Sequence, residues 1–314
     1  MIAFTPLAAQ PPWRDDLDAG RNLAAQGNYQ EAEGKLLAAV HKAQSSGPRS
    51  EGEALAYNEA ATLYEVLGRY PQAETLFQRA ARAWESAYPE NTVGLIRILN
   101  NLSSLYVNHE QFSKAERICR RELALEMRTD ALDAADSARL HGNLGCVYCA
   151  RRNYSEAESE YRRALAIWER DGGPEDAELA AVLNNLSVMY TKAGRPAEAI
   201  SHLERSVAIG RRTSDLAYGL APQLLNLGML DTAAGRLREG KLAFEEALRI
   251  AEEHPAFEPR LPELLTNYAV LLRKMNQRAE AKAMELRAQA INRDVALRDP
   301  ARYTIDVVDL TQRK

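Results

Sequence analysis

The 314-residue sequence predicts an all-α solenoid of about seven helix pairs, and three observations support this prediction. Ala, Leu, Glu and Arg, which are strong helix formers, dominate nearly the whole chain. Runs of β-branched residues are rare, and aromatic residues make up only 7% of the sequence. A short motif (a turn-forming residue, a large residue, then a small one) recurs seven times. The small residues that end the seven copies are Ala32, Ala73, Ala115, Ala157, Ala199, Gly240 and Ala281. Successive members are 41, 42, 42, 42, 41 and 41 residues apart.

Each copy of this motif marks the turn between two helices. The first helix is clearest in Leu99–Tyr106 and Leu183–Tyr190, where Leu, a small residue and Tyr share one face. Gly or Asn in the turn accepts the left-handed conformation that ends a helix. The second helix then brings Ala to the helix crossing, where the close approach leaves little room beyond a Cβ atom. Because one helix pair cannot bury its own apolar face, the seven pairs must stack.

The turns follow in order around Gly27, Gly68, Gln111, Asn153, Gly194, Gly235 and Asn276. Three pairs depart from the common pattern. In the third pair, Glu122 takes a place that the other pairs give to Ala or Ser, and a buried carboxyl group there needs a partner. In the sixth pair, Asp231 replaces Tyr. In the last pair, Glu285 replaces a large residue, which suits a solubilising cap.

Composition excludes several classes of protein. A hydrophobic content of 46% with a net charge of −4 excludes wholesale disorder. The same charge excludes a generally basic nucleic-acid binder. No apolar run reaches the roughly 18 residues that predict a membrane span. Three cysteines in a chain of this length do not form a disulfide framework.

The Leu-Asn-Asn-Leu-small-x-x-Tyr helix and the Gly-x-Tyr-x-x-Ala turn resemble the tetratricopeptide repeat family. More closely, they are similar to the repeat of about 42 residues in kinesin light chains and their bacterial relatives. The resemblance covers about residues 13–298 and implies a right-handed superhelix whose first helices line a concave groove. It leaves an N-terminal segment, 1–12, and a C-terminal tail, 299–314. Because such arrays serve many unrelated partners, the resemblance indicates the fold better than the function.

In this family the inner face of the first helices meets the ligand. The resemblance therefore implies a set of peptide-binding residues, namely Asn58, Arg97, Asn100, Asn101, Arg139, Asn143, Asn184, Asn185, Lys192, Asn226, Asn267 and Arg273. Five of the asparagines form a ladder with one member per repeat, at Asn101, Asn143, Asn185, Asn226 and Asn267. A carboxamide offers donors and an acceptor, so the ladder can bind the backbone of an extended peptide. The alternative is that it braces neighbouring first helices and contacts no ligand.

The same face predicts a preference for acidic ligands. It carries two anions, Glu65 and Glu263, against seven cations, which are Arg14, Arg21, Arg97, Arg139, Lys192, Arg273 and Lys274. A locally basic groove raises the association rate of acidic peptides. The alternative is an ordinary solvated helix face, since isolated surface charges cost little.

The sequence comes close to two chemical motifs and completes neither. Gly235–Leu242 matches a phosphate-binding loop except that Leu242 stands where Ser or Thr binds magnesium, and it coincides with the sixth turn. Cys146 and Cys149 form a C-x-x-C pair inside a first helix, with no second pair to complete a zinc site. The bland alternative is a set of reduced thiols lining a groove. We expect no catalytic residues, no cofactor and no metal site.

These observations favour a non-catalytic scaffold that binds an extended, acidic segment of a partner protein in its concave groove. The alternative is a regulatory sensor whose superhelical pitch changes when a small ligand or peptide binds. We expect partners to be other proteins, with no nucleic acid and no membrane span. The sequence specifies neither the partner nor the oligomeric state.

Both ends of the chain leave the repeat pattern. Met1–Gln10 is apolar and then small, which leaves two compartments open: the cytoplasm, or export if this segment is the remnant of a signal peptide. Tyr303–Leu310 is β-prone and contains Asp306 and Asp309. This tail has the chemistry that the predicted groove requires, so we expect it either to occupy a concave face or to remain loose or packed as a cap.

Overall fold

A computed structural model describes residues 11–45, 50–129, 132–171, 177–212, 217–253 and 260–298. These ranges contain fourteen α-helices and no strand, which confirms the predicted all-α class and the seven helix pairs. Each odd-numbered helix packs on the even-numbered helix that follows it. Residues 1–10 of the predicted N-terminal segment and the predicted C-terminal tail, 299–314, lie outside the described residues, so Met1–Gln10 and Tyr303–Leu310 are not described.

The helices fall into two compact units, Met1–Asp171 and Gly172–Lys314. The first unit contains α1 (Pro12–Ala25), α2 (Tyr29–Ser45), α3 (Glu51–Val66), α4 (Tyr70–Ala87), α5 (Thr92–Asn108), α6 (Phe112–Glu126), α7 (Ala134–Ala150) and α8 (Tyr154–Asp171). The second contains α9 (Ala177–Lys192), α10 (Pro196–Arg212), α11 (Ala217–Ala233), α12 (Leu237–Glu253), α13 (Leu261–Lys274) and α14 (Arg278–Arg298). Within each unit, successive pairs pack on one another, so a continuous set of apolar side chains is buried.

The small residues predicted at the helix crossings are buried there. Ala73, Ala157 and Ala199 are all fully buried, as the repeat spacing required. At Gly240 even a Cβ atom would lie 2.8 Å from Leu271 Cδ1, so glycine is the residue that fits the sixth crossing. The Ala-to-Gly change in the sixth motif therefore follows from local packing.

The left-handed turn residue occurs once in every repeat. Positive φ angles occur at Gly27, Gly68, Glu110, Arg152, Gly194, Gly235 and Asn276. The sequence predicted this role for Gly and Asn, but Glu110 and Arg152 take it in the third and fourth repeats. Left-handed backbone strains residues that carry a Cβ atom, so these two turns carry a local cost that the glycine turns do not.

Two polar residues are buried at positions where other repeats are apolar or small. Asp231, which replaces Tyr in α11, lies 3.1 Å from Arg236 Nε. Burial raises the pKa of Asp231 to about 6. Glu122 in α6 is fully buried, and neither carboxyl oxygen has a hydrogen-bond partner among the described residues. Burial raises the pKa of Glu122 to about 8, so this side chain is protonated near neutral pH.

Candidate functional site

The first-helix face is the side of the odd-numbered helices that carries the predicted peptide-binding residues. In the first unit, the asparagines on this face bond to neighbouring first helices. Asn101 Nδ2 donates to Asn58 Oδ1 at 3.0 Å, which joins α5 to α3. Asn143 Nδ2 donates to Ser103 Oγ at 3.0 Å and to Ser104 Oγ at 3.1 Å, which joins α7 to α5. In this unit the Asn ladder braces the helices.

The structure corrects the predicted position of Asn100. Its side chain is only 1% exposed, so it is not available to a ligand on the first-helix face. Asn100 Nδ2 donates to the backbone carbonyl of Asp136 at 3.0 Å, across the contact between α5 and α7. The shared Asn-Asn dipeptide of α5 thus places one amide towards the core and one towards the surface, because neighbouring helical residues point in different directions.

Two predicted cations of the first unit, Arg97 and Arg139, are held in ion pairs. Arg97 Nε lies 2.7 Å from Asp136 Oδ2, and Arg97 Nη2 also contacts Asp133. These bonds raise the pKa of Arg97. Arg139 Nη1 lies 3.5 Å from Asp136 Oδ1. Asp133 is also the N-cap of α7, since its Oδ1 accepts the Asp136 backbone N–H at 2.8 Å. Asp133 and Asp136 begin the next repeat and are not among the anions from which the charge of this face was predicted.

Cations elsewhere on the face are engaged in the same way. Arg21 Nη2 lies 2.7 Å from Glu59 Oε1, and Arg273 Nη2 lies 2.5 Å from Glu285 Oε1. Lys274 Nζ donates to the carbonyl of Thr232 at 3.0 Å. Four of the seven predicted cations are therefore paired with carboxylates, and a fifth, Lys274, is bound to a backbone carbonyl.

The second unit has an open groove on its first-helix face. This α9/α11 groove has a volume of about 350 Å³ and is lined by Ser187, Val188, Thr191, Lys192, Asn226, Met229, Leu230 and Ala233. Val188 and Met229 contribute exposed apolar surface to its walls. Thr191 Oγ1 donates to the Ser187 carbonyl at 2.8 Å, so this hydroxyl proton is already used within α9.

Polar groups in and near this groove remain available. Within the described ranges, the Asn226 carboxamide has no hydrogen-bond partner and Lys192 Nζ has no counter-ion. Asn184 Oδ1, on the same helix as Lys192, is buried and accepts no hydrogen bond there. Asn267 in α13 differs, because its Nδ2 donates to the Glu263 carbonyl of its own helix at 2.9 Å. Asn185 is also engaged. Of the predicted residues, Lys192 and Asn226 are thus the ones that line this groove, and both have unused donors.

The two chemical near-matches have structural roles in the repeats. Gly235 is a left-handed turn residue, and Leu242 lies in α12, so Gly235–Leu242 is the sixth turn as predicted. Cys149 and Cys119 are buried, and Tyr161 Oη lies 3.2 Å from Cys146 Sγ. Burial raises the pKa of the Cys119 thiol. Across the described part of the chain, no three His, Cys, Asp or Glu side chains are grouped to hold a metal ion.

No helix in the described ranges combines the length and the apolar character that a bilayer crossing requires.

Comparison with known proteins identifies the repeat. The tetratricopeptide repeat family matches residues 52–128 and 136–212. No curated protein sequence gives a significant match. The chain therefore belongs to the tetratricopeptide repeat proteins, as its sequence motifs indicated.

Solved structures with the same fold are similar over most of the chain. BtubC (BKLC) from P. vanneervenii has a TM-score of 0.62 and 20% identity, and the match covers 73% of this chain and 92% of that one. The TPR-like repeats of a Podosopora anserina kinesin light chain sequence have a TM-score of 0.51 and 20% identity, over 64% of this chain and 96% of that one. The apo quorum sensor NprR from B. thuringiensis has a TM-score of 0.66 and 15% identity, and the match covers 88% of this chain and 75% of that one.

Proposed function

We propose that this tetratricopeptide repeat protein is a non-catalytic scaffold that binds an extended segment of a partner protein in the α9/α11 groove. One observation supports this location above any other. Within the described ranges, this groove combines exposed apolar walls with an unused carboxamide and an unpaired amine. In the first unit, Asn101 and Asn143 occupy the repeat position of Asn226 and already bond to their own chain.

The carboxamide of Asn226 is suited to bind a peptide backbone. It offers two donors and one acceptor, which match the C=O and N–H groups of one extended residue. Such recognition does not depend on the side chain of that residue. Each hydrogen bond of this kind contributes about 0.5–1.5 kcal/mol.

A preference for acidic peptides depends on one cation, Lys192, and not on the seven cations that the sequence predicted. The other six cations of the predicted face contact carboxylates, a carbonyl or an aromatic ring. Among these cations, Lys192 is the one that lines the α9/α11 groove, and it can bind a carboxylate there without breaking an existing contact. We accordingly expect the ligand to need one acidic residue near Lys192 and no generally acidic character.

The test is selection of peptides from a random twelve-residue phage-displayed library on the full chain. The strongest enriched peptide is then titrated against Asn226→Ala and Lys192→Ala. We expect each change to weaken binding about threefold to tenfold, as the loss of one hydrogen bond or ion pair does. The matched controls are Asn292→Ala and Lys282→Ala on the exposed surface of α14. If these controls weaken binding as much as the groove variants do, the proposed site is wrong.

A second candidate function is a peptide-responsive regulator. The quorum sensor NprR has the same fold over 88% of this chain, which favours a ligand-driven rearrangement of the repeats as the alternative to a passive scaffold. Small-angle scattering with and without the enriched peptide separates the two. A regulator changes its scattering profile when the peptide binds, and a passive scaffold does not.

A further inference from the structure

One position of the first helices is apolar and exposed throughout the second unit. Val188, Met229 and Val270 lie 41 residues apart, so they occupy the same place in α9, α11 and α13. Their exposed fractions are 36%, 40% and 44%. We call these three residues the apolar stripe. Two of them, Val188 and Met229, line the α9/α11 groove.

The fold does not require apolar residues at this position. The corresponding residues of the first unit, at the same repeat spacing, are Arg21, Thr62, Ser104 and Cys146. Each is polar or weakly polar and has a partner: for example, Thr62 Oγ1 donates to the Asn58 carbonyl at 3.0 Å, and Ser104 Oγ accepts from Asn143. Repeats therefore form equally well with polar side chains here, and packing alone does not explain the stripe.

Register distinguishes the stripe from scattered surface hydrophobics. Single exposed apolar residues are common and need no special explanation. Leu242 in α12 and Leu286 in α14 are more exposed than any stripe residue. However, Ala283 occupies the position of Leu242 in the next repeat, and Glu245 occupies the position of Leu286 in the previous repeat. The stripe instead continues through three successive first helices and is flanked by the unused groups of Asn226 and Lys192.

We infer that the apolar stripe determines ligand specificity, because it binds apolar side chains of an extended peptide. The same peptide carries a carboxylate that pairs with Lys192. This inference rests on the proposed function and names the chemistry of its partner. The expected ligand is thus apolar along the stripe and acidic at one point, in contrast to the acidic peptide that the count of cations predicted.

The position of Lys192 also sets where the ligand carries its carboxylate. Lys192 follows Val188 by four residues, which is about one helical turn, or about 6 Å along the axis of α9. A peptide that lies along the stripe crosses α9, α11 and α13, so Lys192 lies beside the part of the peptide that contacts Val188. The expected ligand is therefore an apolar segment with Asp or Glu near the end that contacts Val188.

The sequences of the enriched twelve-residue peptides test this motif first. We expect peptides that combine an apolar segment with an acidic residue near one of its ends to be at least about fivefold more frequent than in the unselected library. Enrichment of acidic peptides that lack apolar residues contradicts the proposal. If no peptide is enriched, both the proposed function and the specificity are wrong.

Substitutions on the stripe then test its contribution to affinity. Met229→Glu should weaken binding of the best peptide about tenfold or more, since it places a like charge and a polar group where an apolar side chain is expected. Leu242→Glu is the matched control: it introduces the same charge on an exposed leucine of α12, and affinity should change less than about twofold. Circular dichroism of both variants confirms that the helices remain intact.

The two proposals fail in different ways. If Asn226→Ala weakens binding and Met229→Glu does not, the groove binds the peptide but the stripe does not select it. If neither variant weakens binding, the proposed location of the binding site in the α9/α11 groove is wrong.

Two other occupants of the stripe are also distinguishable. A dimer by light scattering that Met229→Glu dissociates would assign the stripe to a second copy. A tenfold gain in affinity on deletion of 299–314 would assign it to the chain's own tail. Either result would contradict the proposal that a peptide of a partner protein occupies the stripe.

Discussion

The first-helix faces of the two units carry similar residues that make different contacts. In the first unit Asn101, Asn143 and Arg97 bond to the neighbouring repeat, so the polar face holds the helices together. In the second unit Asn226 and Lys192 make no such bond within the described residues, and exposed apolar side chains lie beside them. The same residue type at the same repeat position thus braces the helices at Asn101 and Asn143 and has no hydrogen-bond partner among the described residues at Asn226. Repeat register alone does not distinguish the two roles.

The largest expected difference between the units concerns Glu122. The same slot in the second unit holds Ser206, whose Oγ donates to the Ala180 carbonyl at 2.7 Å, and Ala247. Glu122 is buried without a partner, near Ser103, Asp136 and Glu126. The pKa of Glu122 is raised by burial to about 8 in the folded state, against 4.5 for an ordinary glutamate. The folded state therefore holds the proton more tightly, and stability from this group is lost as the pH rises from about 4.5 to about 8.

Glu122→Gln should remove this pH dependence, because glutamine does not titrate. Between pH 5 and pH 8 the free energy of unfolding of the unchanged protein should fall by on the order of 3 kcal/mol relative to the variant. Urea unfolding of both proteins at a series of pH values measures the difference. Parallel pH profiles would mean that Glu122 has a charged partner or solvent access in the folded chain.

The second prediction compares ion pairs on the two faces. Arg97→Ala leaves the buried carboxylate of Asp136 without its strongest cation and should lower the free energy of unfolding by about 2 kcal/mol. Arg273→Ala in the second unit removes a pair with Glu285, which is half-buried, and should cost about 0–1 kcal/mol. Adding Asp136→Asn to Arg97→Ala should recover part of the loss. Equal losses for the two arginine variants would contradict the difference between the faces.

The third prediction concerns the ladder asparagines directly. Asn143→Ala removes two hydrogen bonds between α7 and α5 and should lower the free energy of unfolding by about 1 kcal/mol. Asn226→Ala removes no bond to the described chain and should change stability by less than about 0.5 kcal/mol. Peptide binding should respond in the opposite way, with the larger loss for Asn226→Ala. If both variants are equally destabilised, Asn226 also braces the fold.

The repeat itself could be predicted from the sequence. Which of its polar side chains are buried or paired with other residues could not. The spacing of Ala73, Ala157 and Ala199 located the helix crossings, because a close approach tolerates only small residues and so leaves a regular signal. The pairing of Arg97 depends on Asp133 and Asp136, which lie almost one repeat away in the chain. No local pattern connects residues at that separation, so the sequence overestimated the free positive charge.

Burial of Asn100 was missed for a related reason. Asn100 and Asn101 are adjacent in the motif, and family position assigned both to the ligand face. Successive residues of a helix are rotated by about 100°, and in α5 this rotation turns Asn100 into the contact with α7 while Asn101 stays partly exposed. The apolar stripe, by contrast, left a signal that was visible at the repeat spacing: Val188, Met229 and Val270 replace the polar residues found at that position in the first unit.

The smallest expected effect concerns the turns and separates backbone strain from packing. Arg152 in the first unit and Gly194 in the second occupy the same turn position, with φ angles of 62° and 74°. A Cβ atom at Gly194 would meet no other atom within 4 Å, so a side chain there adds backbone strain and no steric clash. Arg152→Gly should therefore raise the free energy of unfolding by about 0.5–1 kcal/mol, and Gly194→Arg should lower it by a similar amount. The gain at Arg152 is limited because glycine also increases the conformational entropy of the unfolded chain. Thermal unfolding of the two variants and the unchanged protein measures both shifts. If Arg152→Gly destabilises the protein, then contacts of the Arg152 side chain outweigh its backbone strain, and the turns of the two units differ in more than the identity of one residue.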